Sequence, residues 1–256
     1  MEDIILKKNL LLAIEASKRA GEEILKVYDS DFAVEHKDDK SPLTLADKES
    51  HEIIFSLLSE TKIPVLSEEG RDIPYSERQS WKLLWIVDPL DGTKEFVKRN
   101  GEFAVNIALV ENEIPILGVI YSPIKKIIYY ASKNQGAYKK SENSAEEKLT
   151  GERSTTKFTV AASRSHMNEE TAVFVNEMKK KHGDIDFISA GSSLKFGLIA
   201  EGIADCYPRF APTMEWDTAS GQIIVEECGK KLIDCTTDKP MLYNKEIIRN
   251  NWFVVD

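Results

Sequence analysis

This 256-residue chain is short of cysteine, of basic tracts and of long apolar runs, and each shortage excludes something. Its three cysteines, Cys206, Cys228 and Cys235, include no CxxC pair, so neither a disulfide framework nor a zinc site is expected. Thiols scattered in this way fit a reducing cytoplasm. No Lys/Arg-rich tract offsets the formal net charge of −9, which argues against a nucleic-acid polymer as partner. Neither a signal peptide nor a bilayer-spanning segment is expected. No internal repeat accompanies the Trp216-Asp217 pair, which excludes a propeller. What is present is ample material for a core: 42% of residues are hydrophobic and 30% charged, enough for one large domain or two small ones. Residues 139–157, nearly devoid of apolar side chains, read as a long surface connection, which divides the chain into halves 1–150 and 151–256.

Apolar spacing predicts an amphipathic helix over residues 4–28, through Leu11, Ile14, Ala20, Ile24 and Leu25. The polar stretch 31–42 reads as a loop. A second helix is expected over 44–59, with Ile53, Ile54, Leu57 and Leu58 as its buried stripe. Asp47, three residues after Thr44, reads by itself as a capping residue. Pro64-Val65-Leu66 is a short strand that ends in Ser67-Glu68-Glu69-Gly70. Residues 103–110, 116–121 and 126–130 read as an antiparallel meander with turns at Asn112 and Pro123. In the second half, strands at 158–162, 186–189, 204–207 and 252–255 alternate with helices at 169–181, 192–201 and 218–228. The last of these stops at Gly229. Such alternation suggests a mixed or parallel sheet covered by helices.

The centre of the chain is the run Leu83-Leu84-Trp85-Ile86-Val87, a buried strand, followed by Asp88-Pro89-Leu90-Asp91-Gly92-Thr93. Pro89 cannot donate a backbone hydrogen bond, so the strand is expected to stop there. Asp88 and Asp91 then turn toward one point, where carboxylates suit a hard cation such as Mg²⁺. Gly92 lets the backbone approach a ligand closely. The spacing is not that of an EF-hand loop. Taken alone, an acidic turn closing a strand explains these residues equally well. Asp217 reads as the N-cap of a helix. Gly191-Ser192-Ser193-Leu194-Lys195 opens another helix with free N–H groups, hydroxyls and a lysine that suit a phosphate, or with a capping serine and a solvated lysine. Ser163-Arg164-Ser165-His166 follows a strand in similar fashion, and its lone histidine reads as incidental.

Together, Glu68-Glu69, Asp88-Pro89-Leu90-Asp91-Gly92-Thr93 and Trp216-Asp217-Thr218-Ala219-Ser220-Gly221 resemble, in order and spacing, the inositol monophosphatase superfamily of metal-dependent, lithium-sensitive phosphatases. All three in order decide against the plainer readings above. Within that superfamily the chain resembles the CysQ-type 3′(2′),5′-bisphosphate nucleotidases. The features are Leu66-Ser67-Glu68-Glu69, Asp91-Gly92-Thr93-Lys94-Glu95-Phe96, Arg99-Asn100-Gly101-Glu102-Phe103 and Ser192-Ser193-Leu194-Lys195-Phe196. Tyr207-Pro208-Arg209 and Met214-Glu215-Trp216-Asp217 extend the match. Ser220 departs from it, since many relatives have Ala there, and little effect is expected.

The resemblance implies a layered α-β-α-β-α sandwich with metals between its two halves. It implies that Glu68, Asp88, Asp91, Asp217 and the Leu90 carbonyl hold two or three Mg²⁺ ions. Asp47 and Thr93 would orient or deprotonate the attacking water, with Glu69 behind them. Glu68, Gly92, Thr93, His166, Ser192, Lys195, Arg209 and Asp217 would meet the substrate. No cysteine or histidine lies in these motifs, so no covalent phosphoenzyme is required. The implied reaction converts adenosine 3′,5′-bisphosphate to AMP and phosphate, with 3′-phosphoadenylyl sulfate as a second target and a place in sulfur metabolism. An inositol or sugar monophosphatase on the same fold is the alternative. The partner is a small-molecule nucleotide, and the protein a monomer or homodimer. A cytoplasmic location is expected, with peripheral attachment at the inner face of the cell membrane left open.

Overall fold

The computed structural model describes residues 3–30, 34–36, 42–162 and 168–256. The first half runs α1 (Asp3–Tyr28), β1 (Val34–His36), β2 (Pro42–Thr44), α2 (Leu45–Ser59), β3 (Val65–Ser67), α3 (Tyr75–Arg78), β4 (Leu83–Asp91) and α4 (Thr93–Val97). It continues through β5 (Ala104–Glu111), β6 (Ile114–Ser122), β7 (Ile127–Ser132), β8 (Gly136–Ser141) and β9 (Glu147–Leu149). Strands β3 to β9 form one seven-stranded sheet in sequence order. Its β3–β4 pair is parallel and the remaining pairs are antiparallel.

Both faces of this sheet are covered. On β4, Trp85 and Val87 face one core while Leu84 and Ile86 face the other, as a period of two requires. A strand buried on both sides reads as an unbroken apolar run, which is why 83–87 stood out. Leu6, Ala13, Ala16, Ala20, Ile24 and Val27 form the buried stripe of α1, and with Ile54 and Leu58 of α2 they cover the first face.

The second half runs β10 (Phe158–Ala162), α5 (Glu169–His182), β11 (Ile185–Ser189), α6 (Leu194–Ala200), β12 (Tyr207–Arg209), a 3₁₀ turn (Glu215–Asp217), α7 (Ala219–Glu226), β13 (Leu232–Asp234), β14 (Lys239–Pro240) and β15 (Phe253–Val255). Helices α6 and α7 cover the other face of the large sheet through Phe196, Ile199, Ile223 and Ile224. Behind them lie a four-stranded sheet, β12-β15-β13-β14, and the parallel pair β10-β11. A parallel bridge between Val160 and Cys206 aligns β10 with the chain entering β12. Helix α5 packs outside, on a small core of Val160, Val175, Ile185 and Cys206. The layers are therefore helix, sheet, helix, sheet, helix, as expected. No described helix is long and apolar enough to cross a membrane.

Three local expectations need correction. Strand β4 does not end at Pro89 but continues to Asp91, with a register shift between Asp88 and Asp91 against β5. A bulge is the place where a strand tolerates a proline. Residues 139–157 are not a bare connection: the end of β8 and all of β9 lie there as the outer strands of the large sheet. An outer strand has one solvated side, so Lys, Glu and Ser suffice with Ala137 and Leu149 facing inward. Within 31–42, Val34–His36 pairs antiparallel with Pro42–Thr44.

Candidate active site

The parallel β3–β4 pair places two strand ends side by side. The Glu68 N–H donates to the Val87 carbonyl at 3.1 Å, so Glu68 begins where β3 ends and beside Asp88. The β4 bulge then re-aims the chain, and the Asp88 carboxylate accepts the Leu90 N–H at 3.1 Å. Gly92 follows with φ +95°, a left-handed conformation. A Cβ there would also lie 3.2 Å from the Glu102 carbonyl, so glycine is needed to turn the chain into α4.

Asp217 comes from the other half. Its carboxylate accepts the Met214 N–H at 2.8 Å, which closes the 3₁₀ turn. The expected N-cap role is displaced by one residue, because Thr218 precedes α7. Carboxylate oxygens of Asp88, Asp91 and Asp217 all lie within 4.8 Å of one another. Burial raises Asp88 well above the usual carboxylate range, and the charges of Glu68, Asp91, Asp217 and Asp47 raise it further. Asp217 is pushed up to about 8 by burial, then by Asp91 and Glu68, against the Met214 N–H and Arg209. Such a set is all-oxygen and short of positive charge, which is the chemistry that fits a hard divalent cation.

Beside the cluster, Thr93 Oγ1 lies 3.3 Å from Asp47 Oδ2 and 3.3 Å from the Leu90 carbonyl. Asp47 is buried in the first turn of α2. The expected pair is therefore formed, and it touches the expected carbonyl. Glu69 sits near His51, whose pKa is lowered by burial and raised again by Glu52 and Glu69.

A cavity of about 120 Å³ opens on the cluster, lined by Asp91, Gly92, Ser192, Lys195, Arg209 and Asp217 among others. Both acidic and cationic candidates thus face one space. Lys195 is buried, and its ammonium donates to the carbonyls of Ala190 at 3.1 Å and Ser192 at 2.6 Å. Burial lowers its pKa to about 8, against the pull of Asp91. Helix α6 begins at Leu194 rather than at 192, with Ser192 outside it at φ +50°, so Ser192 and Lys195 do not lie on one helical turn. They meet instead by the lysine folding back. Arg209 donates to the Pro212 carbonyl at 3.3 Å, and its Nε is buried with no partner among the described residues. His166 lies outside the described residues.

Sequence reading missed Asn106, which donates to Asp91 Oδ2 at 3.3 Å and accepts the Ser193 hydroxyl at 2.7 Å. It also missed the Ser193 N–H, which donates to the same Asp91 oxygen at 2.5 Å, and Glu102, which accepts the Gly191 N–H at 3.0 Å. The available signal was Asn106 itself, a polar side chain amid Ala104-Val105 and Ile107-Ala108.

The chain matches the model of the inositol monophosphatase family over residues 6–254. It is similar to CysQ from Bacteroides thetaiotaomicron, described as a bacterial member of that family. The two are 47% identical with a TM-score of 0.88, over 97% of each chain. It is 45% identical over 225 residues to the 3′(2′),5′-bisphosphate nucleotidase CysQ of Salmonella typhimurium, covering 86% of this chain and 88% of that one. The extragenic suppressor protein SuhB of Bartonella henselae, 24% identical over 97% of this chain and 93% of its own, shares the fold with a TM-score of 0.77.

Proposed function

The chain belongs to the inositol monophosphatase family, and on that premise we propose that it is a 3′(2′),5′-bisphosphate nucleotidase. Its reaction removes the 3′-phosphate of adenosine 3′,5′-bisphosphate to give AMP and phosphate. The observation that carries this reading is one cavity lined both by Asp91 and Asp217 and by Lys195 and Arg209. The carboxylates suit a cation beside the phosphate being cut, the lysine and arginine a second phosphate.

Asp88, Asp91 and Asp217, with Glu68 and the Leu90 carbonyl, would hold Mg²⁺. When bound, Mg²⁺ supplies Lewis acidity, which activates water and offsets charge on the phosphate and the leaving alkoxide. Thr93 and Asp47 handle the proton. The Thr93 hydroxyl has one hydrogen to donate, to Asp47 or to Leu90, and its lone pairs remain able to accept from water. Asp47 is the base behind it, with Glu69 supporting from the β3 end. Backbone N–H groups at Gly92 and Thr93 receive the scissile phosphate. Two of the three ammonium hydrogens of Lys195 are committed to carbonyls, which leaves one for the substrate. The Arg209 guanidinium, with five donors and one bond to Pro212, has more to offer. Ser192 completes that wall. The same geometry suits 3′-phosphoadenylyl sulfate, which also carries a 3′-phosphate. Three free cysteines suit the cytoplasm as the place of reaction.

The test is phosphate release from adenosine 3′,5′-bisphosphate and from inositol 1-phosphate, with Mg²⁺ and with EDTA. Release from the bisphosphate is expected to require Mg²⁺. Inhibition by Li⁺ that Na⁺ at equal ionic strength does not reproduce is expected as well. Preference for inositol 1-phosphate would transfer the chain to the inositol phosphatases, and full activity in EDTA would remove the mechanism.

A further inference from the structure

Asp217 is the one member of the cluster that no sheet strand carries; Asp88 and Asp91 lie on β4. Its three-residue turn is held by a buried network. Two positions before it, Glu215 has no exposed surface. One oxygen of its carboxylate accepts the backbone N–H of Asn244 at 2.6 Å, and the other that of Lys245 at 2.9 Å. The Lys245 ammonium pairs with the same carboxylate at 2.9 Å. Asn244, at φ +62°, carries the linkage onward. Its side chain accepts from the Arg78 guanidinium at 3.1 Å and donates to the Arg78 carbonyl at 2.8 Å. Arg78 is buried and donates to the Glu246 carbonyl at 2.8 Å. It closes α3, which lies in the connection between β3, after which Glu68 begins, and β4.

We propose that Glu215 is a positioning residue for Asp217, and that its clasp on the 244–245 backbone, relayed through Asn244 to Arg78, fixes Asp217 relative to the β3 and β4 ends. Two neighbouring N–H groups present two donors at a fixed spacing. A carboxylate offers an acceptor oxygen to each, whereas an amide would set its NH₂ against one of them. Buried polar networks of this kind are satisfied as a whole or not at all. The Glu215 N–H is tied to the Ile248 carbonyl at 2.9 Å, and Asn250 donates to the Met214 carbonyl at 2.6 Å. The 244–250 segment thus holds both the N–H and the carbonyl of the peptide unit that opens the turn, Asn250 also donates to the Thr218 hydroxyl just past it at 3.0 Å, and Asp217 goes where that segment puts it. The inference rests on the reading of Asp217 as a cation-holding carboxylate.

Glu215→Gln tests it, with Mg²⁺ affinity measured calorimetrically without substrate and kinetically with adenosine 3′,5′-bisphosphate. Supporting groups around metal ligands influence affinity by about ten- to a hundredfold, and this one acts through backbone, so a loss of about tenfold is expected in both measurements. Lys245→Met removes the ammonium but keeps the N–H, and a smaller loss in the same direction is expected. Tyr129→Phe is the control: it breaks a buried bond to Glu201 of 2.6 Å, and should lower the melting temperature with Mg²⁺ affinity unchanged. If Glu215→Gln behaves like Tyr129→Phe, Glu215 is merely structural and the inference falls. If Glu215→Gln does not fold, the decision passes to Lys245→Met, and unchanged affinity there overturns the inference. A wild type that neither binds nor needs Mg²⁺ overturns the functional reading and this inference together.

Discussion

Asp91 and Asp217 are the same chemical group less than 4.8 Å apart, yet they are held by different means. Asp91 ends a nine-residue strand whose ladder to β5 runs from Leu83 to the bulge and resumes at Asp91 opposite Ala104. Asp217 sits on a three-residue turn tied by side chains to a distant loop. The same contrast runs through the cavity. Asp88 and Asp91 form a wall set by backbone pairing in a sheet buried on both faces, joined by Asp217 from its clasped turn, and Lys195, Arg209 and the 190–193 loop form the wall proposed for recognition. Backbone ladders tolerate substitution of their side chains, whereas side-chain clasps do not. On the proposed reading, part of the cation-holding set is therefore built into the sheet, while Asp217 and the groups that would read the substrate sit where single residues matter.

Removing charge from the sheet-held wall should have the largest effect and be blind to substrate. Asp91→Asn keeps size and its contacts with Asn106 and the Ser193 N–H in part, but deletes a charge from the cluster. A loss on the order of 4 kcal/mol of charge stabilisation corresponds to about a thousandfold in kcat, for bisphosphate and monophosphate alike. Steady-state kinetics with both substrates checks this. A fall confined to one substrate would break the division between the walls.

The recognition wall should answer differently. A hydrogen bond to a charged group contributes about 1.5–3 kcal/mol, or about ten- to a hundredfold in affinity. Arg209→Ala is expected to raise KM for adenosine 3′,5′-bisphosphate by about that factor, with much less change for 3′-AMP. Lys195→Ala is expected to impair both substrates, because Lys195 also holds the Ala190 and Ser192 carbonyls beside the Ser193 N–H that donates to Asp91. The ratio of kcat/KM for the two substrates separates the variants. An unchanged ratio in Arg209→Ala would remove it as the reader of the second phosphate.

The two halves of the chain meet where α7 lies on β6. A Cβ at Gly118 would stand 2.4 Å from the Ser220 carbonyl and 2.5 Å from Ile223, so the helix could not approach as it does. Gly118→Ala should cost about 1–3 kcal/mol as overpacking, a fall of about 2–12 °C in melting temperature. Ser220 itself has a buried hydroxyl with no partner among the described residues, so an Ala there would leave no unmet group. An unchanged melting temperature in Gly118→Ala would mean the seam has slack and the halves are coupled less tightly than their contact implies.

What could be read from the chain follows the same division. The apolar run before Asp88 and the amphipathic stripe of α1 are local patterns that periodicity exposes, although Leu11, read into that stripe, is exposed; the three motif stretches came from resemblance. The Asp47–Thr93 pair joins residues 46 positions apart and came from resemblance. The bonds of Arg78 to Asn244, 166 positions apart, left no local trace, because each end is an ordinary polar residue in a polar stretch. Outer strands β8 and β9 were hidden for the opposite reason: one solvated side dilutes their apolar signal. Pro89 misled because a bulge, not a strand end, absorbs its missing donor.

The smallest expected effect is a slope, and it tests the strand-held and turn-held carboxylates at once. In EDTA nothing offsets the cluster, and the folded protein holds protons that an unfolded chain would release. Asp88 is raised well above the usual range by burial and Glu68, and Asp217 to about 8 by burial and Asp91. In the unfolded chain both return to about 3.9. Between that value and the raised ones, the native state binds more protons than the unfolded state, so stability falls as pH rises. His51 works in the opposite sense, since burial lowers its pKa, but its contribution is complete above about 6.5. From about pH 6.5 to 7, above the range of His51 and below that in which buried Lys195, lowered to about 8, gives up its proton in the folded state, the carboxylates should therefore act unopposed by either, and the melting temperature in EDTA should decline. Mg²⁺ replaces the protons and should flatten the decline. Asp217→Asn keeps an acceptor for the Met214 N–H but cannot titrate, so it should remove part of the slope while the turn persists. Scanning calorimetry of both proteins, with EDTA and with Mg²⁺, gives the four slopes. A wild type whose melting temperature rises across this window in EDTA would mean that the carboxylates of the metal-free site are already ionised. Asp217 and the strand-held carboxylates would then not be pressing their charges together.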